Sequence, residues 1–452
     1  MLSMTRAARC LTLAIGTLSL AVEAQPPADQ PPNIILIFAD DMGYGDAGCF
    51  GATDINTPNL DRMAAEGIRF TDFYAAQAVC SASRAALLTG CYANRIGISG
   101  ALGPGAKRGL NPSETTIAEL CKSRGYATAI YGKWHLGDAD PFWPTNHGFD
   151  EYFGYPYSND MWPMHPELIG LDLAERKKRW PPLPLMESDP DSGNVRPIDA
   201  DVSPEEQATI TRDITRRAED FIARNKARPF FLYIPHPMPH VPLYGADEYK
   251  GRSAYGRYGD IIEEIDWSVG RILEAVIAAG IDDRTLVIFT SDNGPWLSYG
   301  KHAGTTGGLR EGKGTSWEGG VREPFIARWP GRIPAGTTCR EPAMTIDLLP
   351  TIARLIDAPT PNHHTIDGLD IWPLLANTPD AKSPHDALYF YYHANDLEAI
   401  RSGKWKLILP HKWASLIQPG ENGMPGKFKQ MSCSLELYDL ESDPNETTDV
   451  AA

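Results

Sequence analysis

Cysteine is scarce in this chain, with seven residues in 452. That number is too small for a fold held together mainly by disulfide bridges. The cysteines show no CxxC pair and no zinc-ligand spacing, which argues against a thiolate metal site. Whether any of them pair with each other cannot be deduced from their positions in the sequence.

Long apolar runs and an excess of positive charge are also missing. Beyond residue 24, no apolar stretch reaches the roughly twenty residues that a membrane-spanning helix needs. Acidic residues outnumber basic ones by 58 to 42, which gives a formal net charge of −16. An acidic surface disfavours nonspecific binding to nucleic acid or to an anionic membrane, so we expect neither as a partner. An anionic small substrate stays compatible, because a site can be locally basic.

The composition is that of an ordinary globular protein, with 42% hydrophobic and 22% charged residues. Its first 24 residues have the features of a signal peptide: Arg6 and Arg9, an apolar stretch over 11–22, and small residues at Val22 and Ala24. The apolar stretch is too short to span a bilayer. We therefore predict an exported protein, periplasmic or extracellular, with residues 1–24 removed. The alternative is a buried N-terminal helix.

Apolar runs bounded by turn residues alternate with helical patterns along the mature chain. The predicted strands cover 33–39, 127–131, 230–234 and 285–290, and the predicted helices cover 58–67, 114–123, 204–225 and 260–279. This alternation with short links predicts an α/β fold, in which a large, mostly parallel central sheet is covered by helices on both faces.

Two segments depart from this pattern. Residues 158–199 are rich in proline, tryptophan and charge without a sustained period, and we interpret them as a long surface insertion. After about residue 385, short apolar segments alternate with turns, which predicts a small antiparallel sheet. The predicted domains are thus the signal peptide 1–24, a catalytic α/β domain over 25–384 and a C-terminal antiparallel subdomain over 385–452.

Acidic and amide side chains follow two of the most apolar predicted strands. Asp40 and Asp41 follow the first strand, and Asp292 and Asn293 follow the strand that begins at 285. Ligands of open α/β sheets gather at the carboxyl ends of the strands. If the two strands are neighbours, each pair of like charges about 4 Å apart repels by roughly 4 kcal/mol. A hard divalent cation, Ca²⁺ or Mg²⁺, would remove that cost. Either acidic turn alone could instead be a helix cap or turn former.

Cys80 and Arg84 form a second candidate site. Residues 81–88 have a helical pattern, so Cys80 lies at a helix N-terminus, where the amide groups favour an anion. Arg84 lies one turn further along the same face and could hold an oxyanion or the nucleophile's oxygen. The pattern alone predicts an activated cysteine beside an anion site. A buried thiol or half of a disulfide is the alternative.

The segment Cys80-Ser-Ala-Ser-Arg84, followed by Leu88-Thr-Gly90, closely resembles the signature of the type I, arylsulfatase-like sulfatases of the alkaline phosphatase superfamily. Further blocks that resemble the family stand in its order, from about Asn33 to the end of the chain: Asp40-Asp-Met-Gly-Tyr-Gly-Asp46, Gly132-Lys-Trp-His-Leu-Gly137, Ser291-Asp-Asn-Gly-Pro295 and Gly312-Lys-Gly-Thr-Ser-Trp-Glu-Gly-Gly-Val-Arg-Glu-Pro324.

Three features depart from the family pattern. Ala82 stands where the signature more often has proline, and Cys91 stands where arginine usually follows Leu-Thr-Gly. The departure at Ala82 leaves open how efficiently the signature cysteine is modified. Family members also continue beyond the position of Val450 into a closing helix, so a truncated C-terminal subdomain is expected here.

The resemblance implies an alkaline-phosphatase-like fold and a modified cysteine. In this family, a formylglycine-generating maturation enzyme converts the signature cysteine, here Cys80, into Cα-formylglycine. It also implies one Ca²⁺ per chain, held by the formylglycine oxygen and by Asp40, Asp41, Asp292 and Asn293.

The resemblance further implies a mechanism. The aldehyde is hydrated, and one hydroxyl attacks sulfur while Asp292 accepts its proton, which gives a covalent sulfo-enzyme. His135 then deprotonates the second hydroxyl and sulfate leaves. His240 matches the histidine that protonates the leaving alcohol. The remaining matches are the sulfate-binding Lys133 and Lys313, the sulfate-contacting Ser158 of some members, and Arg84 of the signature.

The leading hypothesis is an exported sulfatase that acts on a sulfated saccharide or an aryl sulfate. Trp162, Trp180 and Trp296 could stack on a sugar or aryl ring, although core packing explains each of them equally well. His236 falls outside the family's position and is expected to be structural, and a structural role is also expected for His147. The alternative functions are a formylglycine-dependent phosphonate or phosphate monoesterase and a non-catalytic sulfoglycan-binding relic. The sequence leaves the oligomeric state open.

Overall fold

The computed structural model describes residues 31–362 and 365–451. The predicted signal peptide, residues 1–24, lies outside this part of the chain. Over the described residues, no helix is both long and apolar enough to cross a bilayer. Six cysteines in this part are free thiols: Cys49, Cys80, Cys91, Cys121, Cys339 and Cys433.

A mixed sheet of 11 strands forms the centre of the described structure. Its strands are β1 (Asn33–Ala39), β2 (Ile68–Tyr74), β3 (Ala127–Tyr131), β4 (Glu151–Gly154), β5 (Leu185–Ser188), β6 (Val195–Asp199), β7 (Phe230–Pro235), β8 (Thr285–Ser291), β9 (Arg322–Arg328), β10 (Thr337–Cys339) and β11 (Ala343–Met344). Their spatial order is β10-β2-β9-β8-β1-β7-β3-β4-β5-β6, with β11 beside β2.

Strand β1 lies in the middle of this sheet, parallel to β7 on one side and to β8 on the other. Ile34, Leu36 and Phe38 contribute to one hydrophobic core. Ile35 and Ile37 contribute to the second core on the opposite face. Both faces of β1 are thus buried, which explains its nearly continuous apolar sequence.

Helices cover both faces of the sheet, as predicted. They are α1 (Pro58–Glu66), α2 (Cys80–Thr89), α3 (Ile117–Ser123), α4 (Leu173–Arg179), α5 (Pro204–Gln207), α6 (Ile210–Asn225), α7 (Arg257–Ala278), α8 (Glu318–Val321), α9 (Leu348–Leu355) and α10 (Trp372–Leu375). Helix α2 packs in the first core and α7 in the second. The fold is of the predicted α/β class.

Three predictions of local structure were wrong. The helix expected from residue 114 begins at Ile117, because Thr116 and Glu119 form a capping box there. The helix expected over 204–225 is two helices, α5 and α6, which are separated at Ala208 and Thr209. The insertion over 158–199 is not only a surface loop, since its strands β5 and β6 extend the central sheet in antiparallel pairing.

A small antiparallel sheet follows the main sheet, as predicted. The strands after residue 385 are β12 (Leu388–Tyr392), β13 (Asp396–Ser402), β14 (Trp405–Ile408), β15 (Lys412–Gln418), β16 (Lys427–Ser432) and β17 (Glu436–Asp439). Four of them pair in the order β12-β13-β14-β17, and β15 pairs with β16. Leu388, Phe390 and Ile408 pack into the first core, so the small sheet contributes to the same hydrophobic core as α2. The domain boundary at residue 385 stays a prediction.

Candidate active site

The two acidic strand ends meet at one edge of the central sheet. Strands β1 and β8 pair in parallel, and Ala39 lies opposite Ser291. The amide of Asp292 donates to the carbonyl of Ala39, and the amide of Asp41 donates to Oδ1 of Asp292 at 3.0 Å. The prediction that these strands are neighbours is confirmed, and the four side chains converge.

The converging side chains offer oxygen atoms to a cation. Asn293 donates its Nδ2 to Asp41 at 2.7 Å. The Asn293 Oδ1 and Asp40 Oδ1 atoms are buried and accept no hydrogen bond from the described residues. Burying such acceptors without a partner is costly, and oxygen donors suit a hard divalent ion. Atoms of Asp40, Asp41 and His240 also lie within 4.8 Å of one another. The donor set therefore fits a hard divalent cation.

Two lysines lie among these carboxylates. The Lys133 ammonium is 2.5 Å from Oδ2 of Asp40 and 3.1 Å from the Ser158 hydroxyl. The Lys313 ammonium is 2.7 and 2.8 Å from the two oxygens of Asp41. Trp296 covers Lys313, whose ammonium lies 4.5 Å from the ring centroid. The sequence-predicted sulfate ligands Lys133, Lys313 and Ser158 are thus beside the acidic cluster.

Cys80 is the first residue of helix α2, after Val79 in extended conformation. Its side chain is buried, and burial raises the pKa of the thiol, although Lys133 and Lys313 act in the opposite direction. Burial thus opposes the effect of the helix N-terminus, and an activated residue 80 stays a prediction. The helix does place residue 80 beside the acidic cluster, since the charges of Asp40 and Asp292 act on its pKa.

Arg84 lies one turn into α2 and faces the same cluster. Its Nε and Nη2 atoms donate to Asp292, and its Nη1 donates to the carbonyl of Lys133. Both Arg84 and Asp292 are fully buried. The guanidinium therefore holds other residues of the site in place, and its role toward an oxyanion or the nucleophile's oxygen stays a prediction.

The two predicted catalytic histidines have defined hydrogen bonds. His135 adopts a left-handed backbone conformation, with φ of 60°. Its Nε2 contacts the Leu102 carbonyl at 2.8 Å, whereas its Nδ1 is buried without a partner among the described residues. Since a carbonyl only accepts, Nε2 carries the proton and Nδ1 has a free lone pair. Burial, followed by the charges of Lys133 and Arg84, lowers the pKa of His135 well below its usual value.

His240 lies beside Asp41 of the acidic cluster. Its Nδ1 donates to the Val241 carbonyl at 2.6 Å, and its Nε2 is 3.5 Å from Oδ2 of Asp41. Burial and then Lys313 lower the pKa of His240 well below its usual value. The Trp296 ring centroid lies 5.5 Å from the imidazole centroid, so Trp296 contacts both His240 and Lys313.

Other residues singled out in the sequence lie elsewhere. His147 and His236 are fully buried, and His236 is 3.4 Å from the hydroxyl of Ser268, as expected for structural histidines. Trp162 is buried in the second core, which confirms its core-packing alternative. Trp180 lies next to Arg179, whose guanidinium is 5.0 Å from its ring.

The sequence reasoning missed two residues near the cluster. Both carboxylate oxygens of Glu323 are buried without a hydrogen-bond partner among the described residues. Burial, and then the charges of Asp292 and Asp41, raise its pKa well above the usual value. Tyr392, on the C-terminal sheet, is close enough for the charges of Lys313 and Cys80 to act on its pKa. Neither residue has a local signal, apart from the position of Glu323 inside the 312–324 block.

Fold and site together define a class of protein. A central α/β sheet carries a buried acidic cluster at its strand ends, and a helix N-terminus and two lysines lie beside that cluster. This is the architecture of the alkaline-phosphatase-like hydrolases of anionic esters. A sequence model of the sulfatase family matches residues 32–358, and a model of the C-terminal region of N-sulphoglucosamine sulphohydrolase matches residues 312–421. The chain belongs to the sulfatase family.

Individual relatives agree with this assignment. Arylsulfatase A of Bos taurus is 44% identical over 407 residues, which cover 87% of this chain and 78% of that protein. The crystal structure of the PsFucS1 sulfatase from Pseudoalteromonas sp. has a TM-score of 0.84 at 29% identity, covering 93% of this chain and 86% of that one. The structure of Ps i-CgsB in complex with k-i-k-neocarrahexaose has a TM-score of 0.76 at 30% identity, over 93% and 89% of the two chains. The protein is a sulfatase, an enzyme that hydrolyses sulfate esters.

Proposed function

We propose that this sulfatase cleaves sulfate monoesters with a formylglycine formed from Cys80, and that its substrate is a sulfated saccharide. The observation that carries the proposal is the position of residue 80. It lies at the N-terminus of α2, next to the acidic cluster, and is influenced by both Lys133 and Lys313. The sulfatase signature around Cys80 supports a modified residue at this position, because a hydrated aldehyde there would supply the attacking hydroxyl.

We propose Ca²⁺ as the metal, held by Asp40, Asp41, Asp292, Asn293 and the oxygen of modified residue 80. The unpartnered Oδ1 atoms of Asp40 and Asn293 support this ligand set. When bound, the cation and the hydrated aldehyde supply an acidified hydroxyl as nucleophile.

The positively charged residues bind the substrate's sulfate in this proposal. Lys133 pairs with Asp40 and Lys313 pairs with Asp41. Their ammonium groups offset charge that develops on the sulfonyl and leaving oxygens. The Ser158 hydroxyl, beside Lys133, adds one hydrogen bond to a sulfate oxygen. Arg84 orients Asp292, the proposed acceptor of the first proton.

The histidines move protons at defined atoms. We assign His135 Nδ1 as the acceptor in the step that releases sulfate, because this atom has a free lone pair. We assign His240 Nε2 as the donor to the leaving alcohol, since its Nδ1 is already engaged with Val241. Donation requires that Nε2 carries a proton when the substrate is bound.

The cellular setting follows from the sequence. The positively charged and apolar features of residues 1–24 support export to the periplasm or beyond. A formylglycine-generating enzyme is then a required partner. A saccharide substrate is supported by the neocarrahexaose bound to the Ps i-CgsB relative.

The test begins with the peptide that contains residue 80. Mass spectrometry and a hydrazide probe distinguish an aldehyde from a thiol at that position. We expect the matured protein to carry the aldehyde and to hydrolyse 4-nitrophenyl sulfate much faster than 4-nitrophenyl phosphate. Cys80→Ala should abolish turnover, whereas Cys91→Ala, in the same region but outside the site, should not. Full activity of the Cys80→Ala variant would refute the proposal.

A further inference from the structure

The turn that joins β12 to β13, residues 392–395, reaches the candidate active site from the C-terminal sheet. The Tyr392 hydroxyl lies 3.3 Å from where a Cβ atom on Gly314 would be, and Gly314 directly follows Lys313. Burial raises the pKa of Tyr392, the Lys313 charge opposes this, and Cys80 adds to it. Tyr392 therefore lies within electrostatic range of both residue 80 and a proposed sulfate ligand.

The same turn also contacts the segment before Cys80. Gln77 Nε2 donates to the Asn395 Oδ1 atom at 3.3 Å. Gln77 is 3% exposed and its Oε1 accepts from the Gly100 amide, so its side chain is fixed. The second amide atom of Asn395, Nδ2, donates to none of the residues that the structure describes. It remains able to bind a ligand.

The turn has an unusual backbone. His393, Ala394 and Asn395 have φ angles of 35°, 54° and 71°, a left-handed conformation at three consecutive non-glycine residues. Such strain persists only when the surroundings enforce it, and it is frequent at ligand-binding sites.

A buried carboxylate holds this turn in place. His393 Nδ1 is 2.7 Å from Oε1 of Glu398, whose side chain is 1% exposed. The second oxygen of Glu398 accepts from the Ser316 hydroxyl at 2.8 Å. Ser316 belongs to the same loop as Lys313, so one carboxylate fixes the turn and the lysine loop relative to each other.

The turn offers hydrogen-bonding groups to a ligand: the Tyr392 hydroxyl, the His393 imidazole, whose side chain is 47% exposed, and the Asn395 amide. Hydroxyl and amide groups of this kind match the hydroxyl and acetamido groups of a sugar, whereas a flat hydrocarbon would leave them unpaired.

From this geometry we infer that residues 392–395 form a subsite for the leaving alcohol, and that this alcohol is a saccharide. Tyr392 and Asn395 form hydrogen bonds with a hydroxyl or acetamido group of that saccharide. The inference rests on the proposed function, because it takes the sulfate to lie between Lys133 and Lys313. It adds specificity-determining residues that belong to the C-terminal sheet.

The test compares two substrates in the matured enzyme: 4-nitrophenyl sulfate and the best substrate among mono-O-sulfated galactose, N-acetylglucosamine and N-acetylgalactosamine. Tyr392→Phe removes the phenol hydroxyl, and Asn395→Gly removes the side-chain amide together with its hydrogen bond to Gln77. Glycine tolerates the left-handed backbone at 395. We expect a loss of about tenfold or more in kcat/KM for the sugar sulfate, and a change of less than about twofold for the aryl sulfate.

Matched controls separate recognition from structure. Tyr389→Phe makes the same change at an exposed position of the same strand, and Asn422→Gly makes it at another left-handed asparagine, in an exposed turn. Both control variants should leave kcat/KM for the two substrates unchanged.

Equal losses of kcat/KM for both substrates, or no loss for the sugar sulfate, would overturn the inference. Wild-type enzyme that cleaves the aryl sulfate but none of the sugar sulfates also overturns it, yet leaves the formylglycine proposal intact. Inactivity toward every sulfate ester, with the aldehyde present, would overturn both.

Discussion

Two nitrogen atoms of Arg84, Nε and Nη2, donate to the same oxygen of Asp292, at 3.1 and 2.7 Å. Neither side chain is exposed to solvent. The pair connects helix α2, which carries Cys80, to the end of strand β8, which carries two proposed metal ligands. A change at this pair should therefore affect stability as well as activity.

Arg84→Met should destabilise the fold by about 3–5 kcal/mol, because it leaves the Asp292 carboxylate buried without its main partner. Arg212→Met removes a comparable pair with Glu248, but both of those side chains are largely exposed. That control should cost less than about 1 kcal/mol. Urea unfolding of the two variants measures the difference. Similar free energies of unfolding would contradict the structural role assigned to Arg84.

Ca²⁺ should stabilise the protein after chelation of metal ions. A ligand that binds only the folded state at 100 times its Kd contributes about 2.7 kcal/mol, so the thermal midpoint should rise when CaCl₂ is added. Asp41→Asn should weaken this response, because it removes one carboxylate of the cluster. Asp189→Asn, in an exposed turn, is the matched control and should respond like the wild type. A thermal midpoint that does not rise when Ca²⁺ is added would argue against the metal site. So would an Asp41→Asn variant whose midpoint rises as much as that of the wild type. Repeating the titration with Mg²⁺ tests the choice of ion.

Lys406 should be far more important for stability than Lys404. The Lys406 ammonium is 2.9 Å from both Glu318 and Glu446, and all three side chains are fully buried. Lys406→Met removes the ion-pair partner of the buried Glu446, while Glu318 keeps Arg322, and should cost about 3–5 kcal/mol. Lys404 pairs with Asp439 at a partly exposed position, so Lys404→Met should cost less than about 1 kcal/mol. Thermal or urea unfolding provides the comparison, and equal effects would show that the buried network does not hold the C-terminal sheet.

Glu264 should make the protein less stable as pH rises. Burial raises the pKa of this side chain from 4.5 to about 7, although the Ala246 amide donates to it. Between these two values the folded state binds the proton that the unfolded state has lost, so stability falls as pH rises through that window. Glu264→Gln should remove this dependence of stability on pH. At pH 8 the free energy of unfolding of the variant should exceed that of the wild type by up to about 3 kcal/mol. Free energies of unfolding at pH 5 and pH 8 measure the effect. Glu274→Gln, at a side chain 59% exposed on the same helix, is the control. An unchanged slope in the Glu264 variant would contradict the prediction.

The acidic half of the candidate site could be predicted because its signal is local. Strands β1 and β8 are apolar on both faces and end in acidic residues, and their pairing as neighbours is confirmed. Strands β2 and β9 were missed, because alternating polar residues such as Arg69 and Glu323 interrupt their apolar pattern. The insertion strands β5 and β6 were missed since their pairing depends on the edge of a sheet formed elsewhere in the chain.

The C-terminal side of the site could not be derived from the sequence. Gln77 and Asn395 are 318 residues apart, and their hydrogen bond exists only in the folded chain. The same holds for burial: the sequence marks Cys80 as a residue at a helix N-terminus, but it does not show that burial raises the thiol pKa. The burial of Trp162 in the second core likewise depends on residues that are distant in the sequence.

The burial of Cys80 has a consequence for the timing of biosynthesis. Its side chain is only 2% exposed and belongs to a helix that is enclosed along its whole length. Once α2 has packed, residue 80 and its neighbours in the helix are out of reach of another enzyme. Modification of residue 80 must therefore take place before the polypeptide adopts its native structure. Molecules that fold before residue 80 is modified would remain inactive for their lifetime. The ratio of maturation enzyme to newly made chain would therefore set the yield of active protein.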